Sequence, residues 1–226
     1  MTLQFISDPP WKENEKTLYI VKQRNEEKDM EEIGSLTFVL SEVHEREGMK
    51  IFNIQSEMKM FRVNFSEKTN LITNAKTFRP IFYNSSILAP TGHVIIKGEY
   101  LQSEVKVSIL TSGTLQKHKL RFSGEIYDNV EIFHILRSLR LNNFQKNKFT
   151  IVNLNALAKT LVEIEFIGIE TVEISLGSFE CYRMKLNLPD FPNGKQFFLY
   201  NKYKPHFLIK NIKGPQIIEL INVSNG

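Results

Sequence analysis

Cysteine is almost absent from the 226-residue chain. Cys181 stands alone, so no internal disulfide can form and a stapled small-domain scaffold is excluded. Tryptophan is as scarce, with Trp11 its single example. Among 25 acidic residues only Asp8, Asp29, Asp128 and Asp190 are Asp, thin material for an Asp-rich cation site. No apolar run approaches the roughly 20 residues of a membrane-spanning helix. The first apolar stretch, Leu3 to Ile6, is far shorter than a secretory core, and Asp8-Pro9-Pro10 follows at once. These absences read as a cytoplasmic chain with no transmembrane segment. No linker rich in Pro, Gly or Ser interrupts residues 1–226, so one domain is expected.

Catalytic signatures are missing too. There is no phosphate-cradling glycine loop, no dinucleotide fingerprint and no nucleophile elbow. His44-Glu45 opens like a zincin motif, but Gly48 stands where the second ligand would be. The sequence therefore predicts no metal, no cofactor and no enzyme. Cys181 lies within a predicted strand and reads as a small buried side chain rather than a catalytic thiol.

What the chain does have is core material. Hydrophobic residues make up 42%, aromatics 11%, and there are 17 Phe. The formal net charge is +4, with the excess of basic residues in the second half. A basic balance permits weak attraction to polyanions or anionic lipid. The charges are single residues on alternating positions, so nucleic-acid binding is not expected.

Apolar residues recur at every second position, the period of a half-buried strand. Leu36, Phe38 and Leu40 share one face. Phe61, Val63 and Phe65 are expected to share another within a strand from Met58 to Phe65. Val105, Val107 and Ile109 repeat the pattern, as do Val162, Ile164 and Phe166 against Glu163 and Glu165. Glu163 and Glu165 read as a solvated outer face rather than as an acid/base pair. Val172 and Ile174 form a further strand, with Gly168 where the two strands meet. Asn193-Gly194 is a strong hairpin signal. The predicted fold is mainly β: an antiparallel meander forming a curved sheet or partly closed β-barrel, with one short helix near 128–139. The predicted core contains Phe38, Leu40, Phe61, Val63, Val107, Ile109, Ile132, Leu136, Ile164, Phe166, Phe179 and Leu199.

The helix is the one break in the period. Asp128-Asn129-Val130-Glu131 has the spacing of a capping box, and Ile132, Phe133, Ile135, Leu136 and Leu139 follow as a helical stripe. His134, Arg137 and Arg140 fall three apart and share a face. That face could hold a carboxylate or phosphate group, or could be the wet side of the helix. Glu170 could reach Arg137 or Arg140 as an ion-pair partner. Trp11 could plug an end of the core or line a pocket, and plugging is preferred.

The stretch Tyr127 to Arg137 resembles the helix motif of an uncharacterised bacterial family, domain of unknown function 3108. Gly168-Ile169-Glu170-Thr171-Val172 and Gly177-Ser178-Phe179-Glu180-Cys181 are similar to its Gly-x-Glu-x-Val and Gly-[ST]-Phe elements. Pro10-Trp11 with Glu15, the Tyr19 strand, Ile33-Gly34 and Arg79-Pro80 extend the likeness over nearly the whole chain. The resemblance implies a curved sheet or partly closed barrel with a short helix. It carries over no activity and no catalytic set. Many members of that family look exported, whereas this chain shows no signal peptide.

Two functions follow as expectations. The first is a binding module whose curved sheet holds a small apolar or amphipathic molecule, with Arg137, His134, Glu170 and Trp11 as candidate ligand-binding residues. The alternative is a protein-interaction scaffold whose sheet is filled by its own side chains. Oligomeric state is left open by the sequence.

Overall fold

The computed structural model describes residues 14–41, 44–46, 48–139, 146–188 and 194–225. Strand makes up 72% of the described residues. The N-terminal half is a meander of β1 (Glu15–Arg24), β2 (Met30–Leu40), β4 (Met49–Met60), β5 (Phe65–Asn74), β6 (Pro80–Ala89), β7 (Gly92–Tyr100), β8 (Glu104–Thr111) and β9 (Thr114–Arg121). The short β3 (His44–Arg46) pairs with β4 alone. Next come β10 (Ile126–Asp128), a 3-10 turn (Asn129–Glu131) and helix α1 (Ile132–Arg137). The C-terminal half is β11 (Lys146–Asn153), β12 (Ala158–Ile174), β13 (Gly177–Asn187), β14 (Lys195–Asn201), β15 (Leu208–Lys213) and β16 (Gln216–Asn225).

Apart from β3, all strands lie on one hydrogen-bonded path, β10-β11-β12-β13-β14-β15-β16-β1-β2-β4-β5-β6-β7-β8-β9. Neighbours are antiparallel except β10 and β11, which run parallel. β9 and β10 are consecutive in the chain yet form opposite edges of the path, so the chain leaves one edge and re-enters at the other. The two edges do not pair, and the sheet is curved but not closed.

The core lies on the concave side. Alternate residues of both halves point inward, among them Phe52, Ile54, Leu71, Ile164, Met184 and Phe198, all nearly inaccessible to water. Helix α1 sits inside the curve. Its Phe133 ring lies between Phe38 of β2 (5.1 Å) and Phe198 of β14 (5.8 Å), joining the two halves through aromatic contact. At Gly98 of β7 the missing side chain leaves room for Leu154, whose terminal methyl packs where a Cβ would stand.

Several expectations need correction. Met58 to Phe65 is not one strand: β4 ends at Met60, residues 61–64 turn the chain, and β5 begins at Phe65. Phe61 and Val63 are therefore 58% and 56% exposed rather than buried. Asn64 takes the left-handed conformation (φ 46°) that this turn needs. The two strands expected to meet near Gly168 are one continuous strand, β12, with a bulge between Phe166 and Gly168. Gly168 adopts φ 153° there, a conformation that favours glycine. Phe166 is half-buried, its ring 6.0 Å from that of Tyr182. Ile109 and Phe179 are half-buried against the core, and the other expected core residues are buried. Gly194 lies in the β13–β14 connection, but Asn193 lies outside the described residues.

Candidate functional site

The capping box that the sequence suggests is present, and it closes the 3-10 turn Asn129–Glu131 that leads into α1. The Asp128 carboxylate accepts from the Val130 backbone N–H at 2.8 Å, and Glu131 accepts from the Asp128 backbone N–H at 2.7 Å, closing the capping box. The surroundings differ from expectation. Ile132, His134, Ile135, Leu136 and Arg137 are all buried, because the sheet wraps the helix and leaves it no wet side.

Arg137 lies at neither a pocket rim nor the solvent. Its guanidinium makes a two-pronged ion pair with Glu15 of β1 (Nη1 to Oε1 2.6 Å, Nη2 to Oε2 3.2 Å). It also donates to the Pro205 carbonyl from Nη2 at 2.6 Å and from Nε at 3.2 Å, and lies 5.2 Å from the centre of the Phe207 ring. Glu170 is not its partner. That carboxylate accepts from Arg183 at 2.7 Å across β12 and β13, at the surface. His134 packs edge-on against Phe38 with ring centres 5.1 Å apart. Burial, then the nearby Arg137 charge, hold its pKa well below the ordinary histidine value, so the ring is neutral. Trp11 and Arg140 lie outside the described residues.

A polar cluster that sequence reasoning missed lies beside the helix cap. Glu67 Oε1 accepts from Asn155 Nδ2 (2.8 Å), Ser85 Oγ (2.9 Å) and Thr69 Oγ1 (3.2 Å). The Tyr83 hydroxyl gives its one proton to Asn155 Oδ1 at 2.9 Å, and that of Tyr100 donates to Asp128. Burial raises the Asp128 carboxyl to about 6, despite the opposing hydrogen bonds from Tyr100 and the Val130 backbone. Glu131 is pushed well above the usual carboxylate range by burial, with Asp128 adding a repulsive charge. The signal for this cluster was polar residues at alternate positions, Glu67 and Thr69 on β5 and Tyr83 and Ser85 on β6.

Glu67, Thr69, Tyr83 and Asp128 line a cavity of about 110 Å³, with Leu36, Phe38, Met58 and Phe133 as its apolar wall. The cavity has room for several water molecules. A larger open cleft of about 720 Å³ lies at the other end of the sheet, between Met49, Arg79, Pro80, Leu101, Glu125 and Tyr127. Arg79 is tied there to the carbonyls of Leu101 (3.1 Å) and Gln102 (3.2 Å). Among the described residues no group of His, Cys, Asp or Glu has the placement of a metal site. No described helix is long and apolar enough to cross a membrane.

A solved structure shares this architecture. The chain is similar in fold to a β-barrel-like protein of domain of unknown function DUF1849 from Brucella abortus. The two superpose with a TM-score of 0.60 over 93% of this chain and 96% of that one, at 8% identity. Weaker matches are a candidate exported protein with a YmcC-like fold from Bacteroides fragilis (TM-score 0.37, 10% identity, 98% and 99% of the two chains) and a candidate lipoprotein from Parabacteroides distasonis (TM-score 0.34, 11% identity, 99% of both). At these identities the likeness concerns the fold alone. The sequence matches no described protein family and no curated protein.

Proposed function

We propose that the protein is a non-enzymatic interaction scaffold, a curved sheet whose concave side is filled by its own helix and side chains. The observation that carries this reading is the size of the space beside α1. At about 110 Å³ it falls well below the roughly 300–1,000 Å³ of small-molecule sites. Arg137, the leading sequence candidate for a ligand contact, is engaged by Glu15 and the Pro205 carbonyl. Kinship with domain of unknown function 3108 belongs to the same proposal and rests on the motifs around Tyr127–Arg137 and Gly168–Cys181.

A second reading keeps a small amphipathic ligand but moves it to the cleft of about 720 Å³, whose size suits one and whose lining mixes Met49, Pro80 and Leu101 with Arg79 and Glu125. Native mass spectrometry of protein purified from its own host separates the two. The scaffold reading expects the bare chain mass. A stoichiometric adduct, lost on Leu101→Arg substitution in the cleft, overturns it in favour of the second.

A further inference from the structure

The turns after β4, β6 and β8 all lie at one end of the strands, because the strands between them alternate in direction. Each presents apolar side chains to water. Phe61 and Val63 form the first tip, and Leu88 stands at the second, 53% exposed. Leu110 and Leu115 face each other across the third, 38% and 56% exposed. Exposed large apolar groups gathered on neighbouring tips call for a partner.

The register adds a second feature. Leu88 of β6, Ile95 of β7, Leu110 of β8 and Leu115 of β9 lie on the convex face, opposite the buried Ile96, Val105 and Val107. Farther from the tips on that same face are Lys97, Lys106, Lys117, Lys119 and Arg121, all exposed, against Glu99 and Glu104. Only Lys119 has an acidic neighbour within ion-pair reach among the described residues, Glu104 at 3.9 Å. At about 3.4 Å per residue, Lys117 stands roughly 7 Å and Lys119 roughly 14 Å behind Leu115 along β9. The headgroup layer of a bilayer is about 5–8 Å thick on each side of the hydrocarbon. Leu110 and Leu115 with Lys97 and Lys117 one headgroup layer behind them match that layering, and the long stems of Lys106 and Lys119, two residues farther back, let their charges reach toward the phosphates.

We propose that the turn-bearing end of β6–β9 docks on an anionic lipid surface, with Leu88, Leu110 and Leu115 entering the interface and Lys97, Lys106, Lys117 and Lys119 contacting lipid phosphates. The β1–β2 turn, net acidic with Glu26, Glu27 and Asp29 against Lys28, lies at the same end of the strands but several strands away, so repulsion tilts the molecule onto its β6–β9 side. The docking does not depend on how the interior is used. A polyanion such as nucleic acid would meet the lysines but leave the leucines in water, which is why lipid is the better match.

The test is co-sedimentation of the full chain with phosphatidylcholine vesicles, with and without phosphatidylglycerol. Binding is expected only with phosphatidylglycerol, and rising salt should weaken it. Lys117→Glu with Lys119→Glu should lower affinity about tenfold or more, given the attraction typical of each basic residue near such a surface. Leu110→Ser with Leu115→Ser should weaken binding comparably while leaving the charge unchanged. Lys146→Glu with Lys148→Glu on β11 is the charge-matched control and should bind as the parent does. Circular dichroism checks that each variant is folded. Absence of binding to phosphatidylglycerol vesicles, or unchanged binding by either β8–β9 variant, overturns the proposal. So does loss of binding in the β11 control, or duplex DNA binding as tight as the vesicles and indifferent to the leucines.

Discussion

Glu15 and Arg137 lie 122 residues apart in the chain and meet in a buried, two-pronged ion pair that ties the first strand of the described structure to the only α-helix described. Both side chains are nearly inaccessible, 2% and 4% exposed, so neither charge can be left alone without a large desolvation cost. Arg137→Ala is expected to destabilise the fold by roughly 3–5 kcal/mol, and Glu15→Ala by a similar amount. The double variant should fall well short of the sum, because the second change removes a charge already orphaned. Glu170→Ala should add independently to Arg137→Ala, since Glu170 pairs with Arg183. Urea unfolding midpoints of the set decide between these outcomes. Coupling of Glu170 rather than Glu15 to Arg137 would contradict the pairing.

The acids of the helix cap set a pH dependence of unusual sign. Asp128 titrates at about 6 when folded, above its value in an unfolded chain. The folded protein therefore holds a proton that the unfolded chain releases, and stability falls as pH rises from about 4 to about 6. The loss from Asp128 is on the order of 3 kcal/mol. Glu131, raised by burial, acts in the same direction. His134, lowered by burial, acts in the opposite one: its contribution is present above its unfolded value near 6.5 and is lost as pH falls below it. Comparing the parent with Asp128→Asn cancels the histidine. The parent's stability relative to that variant should decline between about pH 4 and 6 and then level off, as followed by urea unfolding in a buffer series. A flat difference would mean that Asp128 is not desolvated.

Cys181 is fully buried, and burial, with a smaller contribution from Glu170, pushes its thiol up to about 12. A thiol held protonated is a poor nucleophile. Labelling by a neutral-pH disulfide reagent should be slow in the native protein and complete in denaturant. Rapid native labelling would place the thiol at the surface and contradict its burial.

The exposed turn at Phe61 makes a sharp contrast with the core. Phe61→Ser should change stability by no more than about 0.5 kcal/mol. Phe52→Ala, which opens a hole where Phe52 meets the Phe78 ring at 5.5 Å, should cost roughly 3–5 kcal/mol. Thermal or urea unfolding of both variants checks the assignment. A costly Phe61 change would put that ring back in a strand.

How far the sequence could be read follows from the same residues. Alternation is clean where one face is apolar, as in Leu36, Phe38 and Leu40, and there strand and face were both legible. It misleads at Phe61 and Val63, because two apolar residues can keep the two-residue period through a turn. The local sign was Asn64, a residue type that tolerates the left-handed conformation. β5 and β6 are not legible by alternation, because their inward positions include Glu67, Thr69 and Ser85, which erase the apolar period. The helix cap was legible because Asp128 and Glu131 interact locally. The burial of Arg137 was not, since its partner lies on a strand that only the folded sheet brings near.

The position of β1 has a consequence for how the chain acquires its shape. β1 is flanked by β2, the next strand in sequence, and by β16, which begins at Gln216. As the polypeptide emerges from the ribosome, β1 can pair at once on one side, while its other side waits for nearly two hundred further residues. During that interval an unpaired strand edge is available to other nascent chains, and Tyr19 and Val21 lack part of their cover. The seam joining the two halves of the sheet thus forms late in synthesis, and contacts this distant in sequence are slow to form.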